Sequence, residues 1–155
     1  MKIAVITSSD RAYHNIYSDQ SGPAIQELLK QHNPSWEIEY RVLPDDFDLL
    51  CAAFHDASSC DWIITTGGTG ISPRDCTADA ARQFCTHEIP GIAEYLRQES
   101  RKETLFAVFS RGFAGYRGKC ILVNLPGSLA AATYCTKLLL PLLEHGSKMI
   151  HGGDH

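Results

Sequence analysis

Three short apolar runs, each ending abruptly in a polar, turn-forming segment, constrain the fold of this 155-residue chain more than any other feature. Ile3-Ala4-Val5-Ile6 gives way to Thr7-Ser8-Ser9-Asp10, and Trp62-Ile63-Ile64 to Thr65-Thr66-Gly67-Gly68-Thr69-Gly70. Cys120-Ile121-Leu122-Val123 gives way to Asn124-Leu125-Pro126-Gly127-Ser128. An apolar run without polar alternation is the pattern of a strand covered on both faces, and such strands belong to parallel sheets flanked by helices. Helical spacing fills the intervals. It predicts helices over Gly22 to Gln31, Asp46 to Ala57, Thr77 to Cys85 and Ile89-Pro90 to Ser100, and a last helix capped by Ser128 that Pro141 should kink or end. Trp36 to Val42 alternates apolar and polar and reads as a strand nearer an edge, while Phe106 to Phe109 reads as one more buried strand. The expected fold is α/β: one domain over residues 1–155, a three-layer α/β/α sandwich whose largely parallel sheet has helices on both faces. The tail, Gly152 to His155, is expected to fray.

Composition removes several classes of function. Fourteen Lys and Arg against eighteen Asp and Glu leave a net charge of −4, and no run of basic residues offers the footprint of a nucleic-acid binder. The apolar start stops after four residues and Leu138 to Leu143 is the longest later run, so neither a secretory leader nor a membrane span is expected, and the setting reads as cytoplasmic. Six cysteines without a Cys-x-x-Cys pair are expected to be buried, reduced thiols. Only His151 and His155 approach metal-ligand spacing, and their place on the tail favours a surface role. Without a G-x-S-x-G elbow or a Cys/His cluster, hydrolase and zinc readings fall away.

Open parallel sheets bind ligands outside the carboxyl ends of their strands, where the polar segments fall. Thr66-Gly67-Gly68-Thr69-Gly70 follows a buried strand, and its glycines permit positive φ and expose N–H groups, which makes an anion-binding nest. It lacks the Lys-Ser/Thr of a P-loop, and Pro73 breaks a G-x-G-x-x-G pattern. Arg74 and Asp75 directly after it argue for a phosphate site rather than a simple turn. Asp45 and Asp46 sit where a helix N-cap is expected. Alternatively, Asp45 and Asp75 meet across neighbouring strand ends and hold Mg²⁺ against phosphates, since hard oxygen ligands suit that ion. Ser110-Arg111 and Asn124 to Ser128 are either ordinary turns or a second anion-binding end at a helix N-terminus. Asp10-Arg11 and Tyr17 to Gly22 are caps or pocket walls.

Taken in order, Ser9-Asp10-Arg11, Tyr17-x-Asp19, Gly22-Pro23, Thr66-Gly67-Gly68-Thr69-Gly70, Pro73-Arg74-Asp75, Glu88 to Glu94, Ser110-Arg111, Ala114-Gly115 with Arg117-Gly118, and Asn124-Leu125-Pro126-Gly127-Ser128 resemble the molybdenum-cofactor biosynthesis domain of the MogA/MoaB type. The resemblance covers nearly the whole chain and departs at Cys76, where Val is usual, and at Ala78-Asp79, where Pro-Glu is usual. It implies a trimer or hexamer that takes ATP and molybdopterin as substrates, with Mg²⁺, and transfers AMP to the terminal phosphate of molybdopterin. It also implies a partner protein for molybdate insertion. Carried onto this chain, it makes Asp45 and Asp75 catalytic and metal-holding. Thr66, Gly67, Gly68, Thr69, Gly70 and Arg74 would bind the nucleotide; Ser110, Asn124, Pro126, Gly127 and Ser128 would bind the pterin. Two rivals remain. A pterin-binding scaffold would keep Asn124 to Ser128 but need neither aspartate, and the related domain of nicotinamide-nucleotide salvage proteins would come with a deamidase domain.

Overall fold

The computed structural model describes residues 1–153; the expected fraying of Asp154 and His155, and a metal role for His155, lie outside them. The chain forms β1 (Lys2–Ser8), α1 (Asp10–Tyr13), α2 (Ser21–His32), β2 (Glu37–Leu43), α3 (Phe47–Asp56), β3 (Trp62–Thr66), α4 (Thr77–Phe84), β4 (His87–Glu88), α5 (Pro90–Glu103), a 3-10 helix (Leu105–Phe109), β5 (Ala114–Arg117), β6 (Cys120–Leu125) and α6 (Leu129–Ile150). The strands make one sheet in the order β2-β1-β3-β6-β5-β4. The first four are mutually parallel, and β5 and β4 pair antiparallel at the far edge.

Side chains of one strand alternate between the two faces of a sheet, so each central strand feeds two cores. Ile3 and Val5 join Trp62, Ile64, Ile121 and Val123 beneath α2, α5 and α6. Ala4 and Ile6 join Ile63 and Leu122 beneath α3 and α4, where Phe54 and Phe84 pack edge to face at 5.9 Å. That two-sided burial is why Ile3–Ile6 of β1, Trp62–Ile64 of β3 and Cys120–Val123 of β6 carry no polar residue. β2 is covered less completely and lies at an edge, as its alternation predicts.

Two expectations need correction. Phe106 to Phe109 is not a strand: it lies in the 3-10 helix, opened by Thr104, whose hydroxyl accepts from the Phe106 N–H at 3.3 Å, and Phe106 and Phe109 stand exposed. The place beside β6 is taken by β5, built from the Gly-rich stretch Ala114–Arg117. Apolar composition alone does not decide between a buried strand and an exposed turn; in β5, Ala114 packs into the core beneath α5, and Gly115 on the other face leaves room for the Phe113 ring and the His87 carbonyl. Pro141 does not end α6, which runs through it from Leu129 to Ile150. Pro141 and Lys137 both face outward, so the carbonyl left without a helical donor meets water. The cysteines are all free; Cys60, Cys120 and Cys135 are buried as expected, whereas Cys51, Cys76 and Cys85 are only partly covered. Burial pushes the Cys85 and Cys120 thiols up to about 12, so they stay protonated.

Phe54 is fully buried between the sheet and Phe84. Phe54→Ala should therefore lower unfolding stability by about 3–5 kcal/mol, through lost burial and the cavity left behind. Urea denaturation followed by tryptophan fluorescence checks this, and a loss under about 1 kcal/mol would mean that this face of the sheet is not packed as described.

Candidate active site

The carboxyl ends of β2, β1, β3 and β6 lie side by side; the chain runs from β1 outward to β2 and then crosses back past β1 to β3, so the direction of winding reverses between β1 and β3. This is the switch point at which α/β sheets open a crevice. Along the adjoining edge lie the segments that follow β3 and β6.

Gly67 and Gly68 adopt φ of +95° and +63°. A side chain at Gly67 would strike the Ser8 backbone, and one at Gly68 would strike the Thr77 hydroxyl. Only glycine satisfies both the dihedral and the space. The loop's carbonyls are turned away from the crevice. Gly68 O accepts from the Thr77 N–H at 3.2 Å, and Thr69 O from the Arg111 N–H at 2.8 Å. Gly70 O accepts from Arg111 Nε at 2.8 Å, and Asp75 O from the same guanidinium, which also holds both carboxylate oxygens of Asp79 at 3.1 Å. Arg111 thus gathers the Gly-rich loop, the Pro73-Arg74-Asp75 segment and the first turn of α4. Among the described residues the N–H groups of Gly68, Thr69 and Gly70 meet no protein acceptor, which leaves three adjacent donors for an anion. Gly67 does not add a fourth as expected, because its N–H donates to Leu125 O at 3.2 Å. Thr66 is likewise committed: its buried hydroxyl donates to Pro126 O at 2.7 Å and binds β3 to the turn after β6.

Asp45 and Asp75 do not meet across neighbouring strand ends. They follow β2 and β3, and β1 lies between those strands. The end of β1 makes the connection instead. Asp45 accepts from the Ser8 hydroxyl at 2.7 Å and from the Asp10 N–H at 3.1 Å, and its own N–H donates to Asp10 at 3.0 Å. The other Asp10 oxygen takes the Arg74 guanidinium, with Nε at 3.1 Å. The N–H of Asp45, followed by Arg74, holds the Asp10 carboxyl below the usual carboxylate range against partial desolvation. Asp75 turns back to accept from the Ser72 N–H at 2.8 Å through Oδ2, and no protein donor meets its Oδ1. Asp46 is the N-cap of α3, accepting from the Leu49 N–H at 2.9 Å.

A pocket of about 290 Å³ adjoins the loop, lined by Thr69 and Gly70 at one end and by Ser110, Asn124, Pro126 and Ser128 farther in. Leu96, Phe106, Phe109 and Cys135 make its walls mostly apolar. Gly127 is not among the lining residues; its carbonyl accepts from the Ser21 hydroxyl at 2.9 Å. Asn124 is nearly consumed, donating to Thr65 Oγ1 at 2.8 Å and accepting from the Phe113 N–H at 3.3 Å. Ser110 Oγ accepts from the Gly112 N–H at 3.2 Å, which leaves its proton free to donate. Ser128 caps α6 and sets the positive end of a 22-residue helix at the pocket. An apolar slot with a few convergent donors, adjoining a loop with open N–H groups, has the chemistry of a binding site for an anionic ligand.

This architecture belongs to a defined family. Residues 4–145 match the family model described as "Probable molybdopterin binding domain", and the chain is a member of that family. It is similar to the molybdopterin adenylyltransferase of Helicobacter pylori (strain J99), with 37% identity over 97% of this chain and 88% of that one. Among solved structures it is similar to the molybdopterin biosynthesis Mog protein of Mycobacterium ulcerans, with a TM-score of 0.90 and 34% identity, covering 96% of this chain and 98% of that one. It is also similar to the molybdopterin biosynthesis enzyme MoaB of Thermus thermophilus, with a TM-score of 0.87 and 34% identity, covering 97% of this chain and 96% of that one.

Sequence reasoning did not find the clamp made by Arg111, although an arginine directly after a predicted strand end was a signal, nor the state of Thr77. Thr77 does not cap α4 with its side chain: Cys76 holds the N-cap position, and the Thr77 hydroxyl, fully buried beside Gly68, has no hydrogen-bond partner among the described residues. A buried hydroxyl without a partner costs stability. Thr77→Val should raise the unfolding free energy by about 1 kcal/mol, measured by urea titration. A fall of that size would mean that the hydroxyl has a partner in solution.

Proposed function

We propose that this chain is a molybdopterin adenylyltransferase, which transfers AMP from ATP to the terminal phosphate of molybdopterin and releases pyrophosphate. The observation that carries the reading is the continuity of the donor-rich loop Gly68–Gly70 with the apolar pocket that reaches Ser110 and Ser128. The name of the similar protein from Helicobacter pylori, molybdopterin adenylyltransferase, supports the same chemistry, and that of the mycobacterial protein supports a place in molybdopterin biosynthesis. In this reading a pterin phosphate oxygen attacks the α-phosphorus of ATP, the new P–O bond forms there, and the bond to pyrophosphate breaks. Little covalent work falls to the protein. Its residues hold and align: the N–H groups of Gly68, Thr69 and Gly70 neutralise phosphate oxygens, and the pocket around Ser110, Asn124 and Ser128 seats the pterin.

Mg²⁺ fits the donor set. Both Asp45 oxygens keep a lone pair beyond their single hydrogen bonds, and Asp75 Oδ1 has no protein donor. Among the described residues no group of three or more His, Cys, Asp or Glu is placed to hold a metal alone, so a cation here requires substrate oxygens as well. Mg²⁺ commonly binds in this way, through one or two carboxylates plus phosphates. When bound, it would supply charge neutralisation at the triphosphate. Arg74 stays tied to Asp10 and holds the two aspartate-bearing segments together.

The proposed assembly is a closed trimer in the cytoplasm. Six free thiols suit a reducing compartment, and no helix among the described residues is long and apolar enough to cross a membrane. Leu105, Phe106, Val108 and Phe109 are 70%, 78%, 51% and 56% exposed, an apolar patch of the kind that marks contact between subunits. Light scattering at micromolar concentration should report three times the 17.1 kDa of one chain; a species of single-chain mass would overturn the trimer.

The enzyme reading has a sharper test. Asp45→Asn and Asp75→Asn keep size and hydrogen bonding but remove charge that a cation needs, so each should lower adenylyl transfer by roughly 10²- to 10³-fold. Their combined effect should be less than multiplicative, because both serve one ion. Asp46→Asn, which keeps the α3 cap, should stay active. Wild-type turnover in both variants, or a wild type that binds molybdopterin without turning it over, would replace the enzyme by a scaffold.

A further inference from the structure

We propose that Arg97 is the specificity-determining residue of the pocket, the group through which it distinguishes a phosphorylated pterin from an unphosphorylated one. The proposal rests on the reading of the pocket as the pterin site and adds the residue that recognises the substrate's anionic end.

α5 presents Ala93, Leu96, Arg97 and Ser100 to the pocket, the spacing of a single helical face. Arg97 is the one charged side chain among the residues lining it. Its guanidinium donates through Nη1 to Gly112 O at 2.6 Å, and no carboxylate of the described residues comes within 4.0 Å. Other arginines beside the site differ in this respect: Arg74 meets Asp10 and Arg111 meets Asp79. Half-buried at a pocket whose other walls include Leu96, Phe106, Phe109 and Cys135, Arg97 has no protein counter-charge and is open to one from a ligand.

The bond to Gly112 also sets the direction of the fork. Gly112 donates its own N–H to Ser110 Oγ at 3.2 Å, so the guanidinium and the Ser110 hydroxyl are fixed around the same turn. Nε and Nη2 meet no protein acceptor among the described residues, which leaves the planar edge free for a bidentate contact with phosphate. Ser128 and the positive end of α6 line the same pocket and favour the same charge. Arg97 binds and orients the phosphate monoester and takes no part in proton transfer.

The test uses the full-length chain under anaerobic conditions, with two ligands: molybdopterin, and the same compound after phosphatase has removed its terminal phosphate. Arg97→Gln should weaken binding of molybdopterin by roughly 10- to 100-fold, the range for losing a charged hydrogen bond, and change binding of the dephosphorylated form less than about threefold. Arg97→Lys keeps the charge without the fork and should fall between, which preserves the test if Arg97→Gln folds poorly. KM for ATP should not move in either variant. Equal losses for the two ligands would make Arg97 a packing residue, and a raised KM for ATP would assign it to the nucleotide; either overturns the proposal. A wild type that binds neither ligand would instead overturn the pterin reading of the pocket, together with this inference.

Discussion

Parallel pairing of β1 between β2 and β3 is the constraint from which the rest follows. Strands sealed on both faces by helices have no room for polar side chains along their length, so every group able to do chemistry is carried to the edge where the strands end. The register fixes which groups meet there: Thr7 lies beside Thr66, and Thr66 beside Leu125. Their hydroxyls do not face a substrate but hold the loops in place, Thr66 on Pro126 O and Thr7 on Asp19. The loops can then present backbone N–H groups outward.

What makes the Gly-rich loop a binding surface is the fate of its carbonyls. A loop with φ values of +95° and +63° at adjacent residues has N–H and C=O groups of both polarities near the crevice, and an anion would be repelled by the oxygens. Arg111 and the Thr77 N–H remove that repulsion by taking the carbonyls of Gly68, Thr69 and Gly70. The guanidinium is an apt group for this, since its several N–H donors reach several acceptors from one rigid plane. Loop polarity is therefore a tertiary property, set by a residue between the 3-10 helix and β5 that reaches back across the sheet's end.

The uneven legibility of the chain has the same origin. Buried strands leave a strong trace because two-sided burial demands an uninterrupted apolar run, and caps such as Asp46 and Ser128 leave one because a helix start needs a side-chain acceptor. The apolar run Phe106–Phe109 leaves the same trace as a strand while forming an exposed wall of the pocket, since composition records what a segment is made of and not what covers it. The site was legible in its residue types and only partly in its connections. Ser110, Asn124, Pro126 and Ser128 do converge on one pocket, but Asp45 and Asp75 are joined through Ser8, Asp10 and Arg74, a relation set by strand order. Strand order depends on which crossover packs best, and no local pattern encodes that.

The site divides its charges according to what they must do. Arg74 and Arg111 sit against carboxylates, and both act within the protein, one joining β1 to the loop after β3, the other orienting that loop. Neutralised in this way, they add little net field to the crevice, and the donors left open there are uncharged N–H groups aligned by the backbone. Arg97 stands outside this arrangement, held only by a neutral carbonyl in an apolar pocket. A cation that the fold leaves unmatched raises the local potential where a ligand enters, while paired cations raise rigidity. In the proposed reaction, rigidity suits the end of the crevice where reacting groups are aligned, and an unmatched charge suits the end where the substrate is selected.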